Sequence, residues 1–511
     1  MKKTYLYIGT LLFMLVFWAS CTKDDLEVTP SQENQASYYQ YDEQIEAASW
    51  ACYSGLKVID RWGWTQISWG NFTSDDAHAG GESDNDQPGY HSADYFRCTP
   101  NDMGGNLGNM WSNTWKGINK CNNLITYIKS VKEKDFHRQA VAEAKVLKAL
   151  YYFYLARMFG GLPIFDKAPV PSDAITRASQ EETYAAIERW LKEAIEAKSI
   201  DGSKPALTNI KSERISLDAA KALLGKVLIY EASLFNKKDK YSEAITYLSQ
   251  VNKELTVKFP DIFESDFNDE SIFEVNYTKV LGAGNTYYGN YEIQLYGIRS
   301  GDVQINENIG SGWGFNQPSK DLVAAFQSQN DIIRLNATVI SSDSAQKLHD
   351  KFKPNDVISW VNEISGYWDR KHIPNPTKRG PSWQTFENNN ILLRMADVKL
   401  LLAEAYNRTG NDNNARIELN KVRARVNLPE VTSSGEELYA AIKLERRLEL
   451  ALEGERYFDL VRWGDAASVL GPIGYNETSG PGIATKGLFP IPQGEINRNS
   501  GANNLTQNPG Y

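Results

Sequence analysis

The chain is 511 residues long, carries a formal net charge of −9 and is 12% aromatic. That length exceeds the size at which single hydrophobic cores stop growing, so one compact small domain is excluded and two lobes or an elongated helical array is expected. The acidic balance, with basic residues scattered instead of clustered, argues against a nucleic-acid partner.

The chain opens MKKTYLYIGTLLFMLVFWASCTKDD. Lys2 and Lys3 supply a basic start, and the apolar stretch around Thr10 to Trp18 is shorter than the ~20 residues a bilayer-spanning helix needs, so 1–20 reads as a signal peptide. Because Ala19 and Ser20 end on Cys21, the pattern resembles a bacterial lipoprotein signal, in which Cys21 becomes the lipidated first residue. Acyl chains on that cysteine anchor the protein without a transmembrane segment, and 21–36 is then a flexible tether. Lys23-Asp24-Asp25 resembles the signal that sends lipoproteins of Bacteroidetes-type bacteria to the outer face of the outer membrane.

Helical periodicity starts near 41–59, followed from Arg61 to Tyr95 by a stretch without helical period and dense in turn formers. It reads as a long irregular loop, and loops of that length are usually functional or disordered. Its Trp62, Trp64, Trp69 and Phe72 favour a binding loop. Apolar positions three and four apart then predict helices near 111–131, 140–159, 181–197, 216–235, 241–252, 391–408, 412–427 and 435–463. Two of these pairs match each other. KALLGKVLIYEA (221–232) aligns with KLLLAEAYNRTG (399–410), and EAITYLSQV (243–251) with NARIELNKV (414–422). A helical hairpin leaves an apolar face that a neighbouring hairpin must cover, which is the logic of tetratricopeptide-like arrays. Trp111 and Trp115, at i, i+4 beside Ile118, belong to core packing.

Metal and thiol chemistry has little to build on. The cysteines beyond Cys21 are Cys52, Cys98 and Cys121, with no C-x-x-C pair, and they leave open one disulfide of unspecified pairing. The histidines never stand at i, i+4, so a helical HExxH site is absent. Asp75, Asp76, Glu82, Asp84 and Asp86 suit calcium by ligand type but lack the D-x-D-x-D-G pattern, and a solvated acidic loop is the preferred reading. No cofactor is expected, with structural calcium as the open alternative.

Several segments, taken together and in order, resemble the SusD/RagB family of outer-membrane lipoproteins: WSNTWKGINKCNN (111–123), AEAKVLKALYYFYLARMFGGLPIF (142–165), GWGFNQPSKDLVAAF (312–326), GYWDRKH (366–372), LLRMADVKLLLAEAYNRTG (392–410), LNKVRAR (419–425), ERRLELALEGERYFDLVRWG (445–464), LFPIPQGEI (488–496) and the terminal QNPGY (507–511). The resemblance implies a mainly α fold, a scaffold of four tetratricopeptide-like hairpins with long irregular ligand-binding loops. An N-terminal helical region would cover 37–270, including the 61–95 loop, and a C-terminal region 271–511. It also implies a cell-surface protein that captures oligosaccharide and passes it to a SusC-like TonB-dependent transporter, without catalysis. Peptide or another nutrient as cargo, and a mainly structural lid for the transporter, stay open.

Glu445, Glu449, Glu453 and Asp459 suggest a carboxylate pair for glycoside hydrolysis. Their helical spacing, interleaved with Arg446, Arg447 and Arg456, instead predicts ion pairs within the bundle. For the ligand face, a pyranose offers an apolar C–H side and a rim of hydroxyls, so its site wants flat aromatic area edged by amides, carboxylates or Arg. Three regions meet that need: Trp62, Trp64, Trp69 and Asn71; Tyr287, Tyr288, Tyr291 and Arg299; and the GWGFN turn with Trp313 and Asn316. Tyr367 and Trp368 beside Arg370 form a fourth option.

Overall fold

A computed structural model describes residues 38–59, 66–101, 106–128, 132–169, 175–209, 213–278, 289–300, 312–373, 378, 380, 386–475, 480–499 and 505–511. The signal peptide, Cys21 and the tether lie outside these residues, as do Trp62, Trp64, Tyr287 and Tyr288.

The elements that build the molecule are, in chain order, α1 (Asp42–Ile59), α2 (Gln66–Phe72), β1 (Ala77–Gly80), α3 (Pro88–Asp94), α4 (Asn106–Tyr127), α5 (Asp135–Phe159), α6 (Gln180–Glu196), α7 (Leu217–Leu234), α8 (Asp239–Leu248), β2 (Ser271–Val275), α9 (Glu292–Tyr296), β3 (Phe315–Pro318), α10 (Lys320–Ser328), α11 (Ile332–Thr338), β4 (Val339–Ser341), α12 (Ser342–Phe352), β5 (Tyr367–Asp369), β6 (Asn390–Arg394), α13 (Met395–Arg408), α14 (Asp412–Arg425), α15 (Gly435–Glu449) and α16 (Arg456–Trp463). Helix dominates, and the expected mainly α, tetratricopeptide-like scaffold is present.

Local chemistry fixes the helix ends. Ser179 and Glu182 form a reciprocal capping box at the start of α6, and the Ser216 hydroxyl accepts from Ala219 N–H at the start of α7. Gly160, at φ 75°, ends α5 in a conformation that L side chains rarely adopt. The long helices pack as chain-order neighbours from α4 through α8; α8 then packs on α13, which pairs with α14. The two matched hairpins, α7–α8 and α13–α14, are therefore stacked directly. A small residue sits at the same place in both copies. A Cβ added at Gly225 would fall 2.3 Å from the Leu248 side chain of α8, and the aligned Ala403 is fully buried. One apolar core runs through α4–α8 onto α13 and contains Trp111, with Trp115 packed against it, and a second apolar cluster joins α13 to α14 and α15. Cys52, Cys98 and Cys121 are buried thiols, with no disulfide between them.

Outside the stack, among the described residues, three two-stranded antiparallel sheets tie separate segments together: β1 with β3, β2 with β6 and β4 with β5. Three expectations change here. The 61–95 stretch is not one irregular loop, because it holds α2, β1 and α3. The helix expected from 391 begins at Met395, since Asn390–Arg394 pairs with β2. The helix expected over 435–463 is broken after Glu449, where Leu452 (φ 63°) and Gly454 (φ 79°) turn the chain into α16. Gly70 of α2 abuts that break so closely that a Cβ would lie 1.9 Å from the Gly454 carbonyl oxygen.

Candidate functional site

The charged motif at 445–464 folds into a buried lattice of ion pairs. Arg394 donates to Glu270 (2.8 Å), Glu449 (2.6 Å) and both carboxylate oxygens of Glu453 (2.8 Å each). Arg334 pairs with Asp331, Glu445 and Glu449, and Arg425 with Glu270 and Glu449. A second set joins Arg446 to Asp397 and Asp459, Lys226 to Asp397 and Glu455, and Arg462 to Glu404. The expected ion pairing is thus present, with most partners coming from other elements. These carboxylates are committed to guanidinium and ammonium groups and do not face one another across a cleft.

Burial alone raises the pKa of Asp397, Glu404, Glu449 and Glu453, yet the adjacent cations outweigh it and hold all four below the ordinary carboxylate range. A depressed folded-state pKa contributes stability that is fully present above the unfolded value and lost as pH falls toward the folded one. The contribution of these four carboxylates to thermal stability is therefore expected to be constant from pH 7 down to about 5 and to fall steadily below about 4, the unfolded Asp and Glu range. Melting scans across that series check it, and an unchanged melting temperature at pH 3 contradicts it.

The acidic stretch at 75–86 is split between two roles. Asp75 and Asp76 are not solvated; Asp75 takes both Arg447 and Arg456, and Asp76 takes Arg447. Glu82 and Asp86 turn to Arg299, and Asp84 is exposed, accepting from the Tyr95 hydroxyl at 3.3 Å. Among the described residues, no three metal-ligating side chains converge.

The ligand-face candidates separate by burial. Trp69 is 0% exposed and packs edge-on against Phe489 at 5.3 Å, so it offers no platform to a sugar. Asn71 is equally interior. Its Nδ2 donates to Asn316 Oδ1 (3.1 Å) and the Leu452 carbonyl (3.0 Å), while its Oδ1 accepts from Gly454 N–H (2.9 Å). Asn316 is buried too, donating to Asp369 at 2.7 Å. Of the fourth option, Trp368 is buried with its N–H on Ser342, Tyr367 is half-buried and Arg370 is exposed.

Three candidates do come together. Trp313 is half-buried at the surface of a tight turn, where Gly312 N–H reaches Ile298 O (2.6 Å), Trp313 N–H reaches Gln294 O (2.8 Å) and Gly314 N–H reaches Gly297 O (2.9 Å). Glycine is required on both sides of the tryptophan. A Cβ at Gly312 would strike the Gly297 backbone at 2.4 Å, and one at Gly314, whose φ is 71°, would lie 2.6 Å from Arg299 Cβ. Tyr291 is mostly buried and braces the indole edge-on at 5.2 Å. Burial pushes its hydroxyl pKa up. Arg299 donates to the Trp313 carbonyl (3.1 Å) and to Glu82 (2.9 Å), with Asp86 at 3.6 Å; Asp86 in turn accepts from Glu82 N–H at 2.9 Å. Trp360, which sequence reasoning passed over, lies against Trp368 at 5.6 Å, and Trp368 in turn backs Gly314. Its only sequence signal is an aromatic in a Ser-, Asn- and Gly-containing stretch, the same signal that misplaced Trp69.

The assembly is an aromatic face with a positioned guanidinium and carboxylates at its edge. It provides C–H contact area together with hydrogen-bond donors and acceptors.

Comparison with known proteins places this geometry in context. The SusD family model matches residues 269–511, and a model described as "Starch-binding associating with outer membrane" matches 68–229. SusD-like protein P2 of Formosa agariphila is 24% identical over the full length of both chains. The starch-binding protein SusD of Bacteroides thetaiotaomicron is 24% identical over 77% of this chain and 76% of its own. Among solved structures, a laminarin binding SusD-like protein is 30% identical, with 93% of this chain and 100% of that one covered and a TM-score of 0.78. Surface glycan-binding protein A from Bacteroides thetaiotaomicron in complex with laminarihexaose is 25% identical, covers 92% and 100%, and has a TM-score of 0.76.

Proposed function

The chain belongs to the SusD/RagB family, and we propose that it is a glycan-binding lipoprotein of the cell surface, held in the outer membrane through lipid on Cys21. An oligosaccharide stacks a pyranose face on Trp313, with Arg299 donating to ring hydroxyls and Glu82 or Asp86 accepting from them. The protein then hands its cargo to a SusC-like TonB-dependent transporter and leaves the glycan uncleaved. The observation that carries the reading is the Trp313 turn itself, an indole held at the surface by two glycines, Tyr291 and Arg299. Similarity to laminarin- and starch-binding proteins supports sugar over peptide as the cargo. Binding is modest in strength, because a shallow platform buries less of the ligand than a closed pocket and the cargo must be released.

Affinity electrophoresis tests this. The purified protein is run through gels containing plant, host-mucin and microbial polysaccharides, laminarin among them. Retardation by at least one glycan is expected, and retardation by none would shift the role to a non-glycan cargo or to a structural lid.

A further inference from the structure

We infer that the Trp313 face selects uncharged glycans and discriminates against polyanionic ones, an inference that rests on the glycan-binding reading above. A uronate or sulfate is recognised by a cation with donors free to meet it, most effectively a bidentate guanidinium. Among the described residues, the guanidinium that contacts the Trp313 turn is Arg299, and it is already engaged. Its Nη1 donates to the Trp313 carbonyl, its Nη2 donates to Glu82 at 2.9 Å, and Asp86 stands 3.6 Å from Nη1. An incoming anion could meet only an Arg299 N–H left over by these contacts, and there it would face the Glu82 and Asp86 carboxylates that already neutralise the guanidinium.

The surroundings push the same way. The Glu82 side chain, on Arg299, is 66% exposed, and that of Asp84, two residues on in the same turn, is 73% exposed, so both present negative charge to solvent on the Arg299 side of the turn. A neutral sugar hydroxyl has no such conflict. It donates to an exposed carboxylate and accepts from an Arg299 N–H not yet used, so the features that repel an anion are partners for a polyol.

The test compares one backbone with and without charge. Laminarin and sulfated laminarin are titrated calorimetrically into the wild-type protein in 20 mM and 150 mM NaCl; if the gels select a different neutral glycan, that glycan and its sulfated derivative replace them. Sulfation is expected to weaken binding about tenfold or more at low salt, with a smaller gap at high salt as screening grows. Asp84→Asn, at an exposed position, narrows the gap while leaving the neutral glycan bound. Equal or tighter binding of the sulfated polymer, or selection of an anionic glycan in the gels, overturns the inference and leaves glycan binding standing. Absence of binding to any glycan removes both.

Discussion

Replacing Arg394 with methionine is expected to destabilise the protein by about 3–5 kcal/mol, the cost of removing one partner from a buried ion-pair set. Methionine fills much of the same space, so the loss is mainly electrostatic. Arg394 is fully buried and serves Glu270, Glu449 and Glu453 at once. Without it, Glu449 keeps Arg334 and Arg425 and Glu453 keeps Lys371, but the cluster retains more negative charge than its remaining cations balance. The same residue joins β6 to the turn after α15, so the damage spans elements far apart in the chain. Arg189→Met is the contrast. That arginine pairs with Asp166 and Glu193 on the surface, where such contacts are worth about 0–1 kcal/mol. Urea unfolding of the two variants beside wild type measures the difference, and equal small losses would contradict the buried-lattice account.

The second large effect is on binding. Trp313→Ala is expected to weaken glycan affinity about thirtyfold, the equivalent of roughly 2 kcal/mol for a residue at the centre of a recognition surface. The half-buried indole is the aromatic side chain that the turn carries, and alanine removes it while the flanking glycines keep their backbone hydrogen bonds. Trp313→Phe preserves a ring and is expected to lie between the two. Because Tyr291 packs on the indole edge, melting temperature is measured alongside, and a variant that binds as wild type does would remove Trp313 from the site.

Much of the scaffold was legible because it is local. Periods of three and four and the matched hairpins placed most of the long helices to within a few residues, and the small residue shared by Gly225 and Ala403 reflects the packing that the repeat demands. What escaped was set by contacts distant in sequence. Nothing near residue 452 announces that Leu452 adopts a positive φ. Trp69 and Asn71 sit among turn formers and look like a binding loop, yet they are buried because α2 packs beneath α16 and Asn71 bonds to Leu452 and Gly454. The acidic stretch misled for a related reason, since Asp75 and Asp76 are neutralised by Arg447 and Arg456 from the far end of the chain. The GWG turn was legible as a motif, whereas the Arg299, Tyr291 and Glu82 contacts around it join segments far apart in the chain.

The most direct test of the central claim is a crystal structure of the protein soaked with laminarihexaose. A pyranose ring stacked on the Trp313 indole, with hydroxyls on Arg299 and Glu82, is the predicted result; sugar bound elsewhere with the Trp313 face bare would contradict it.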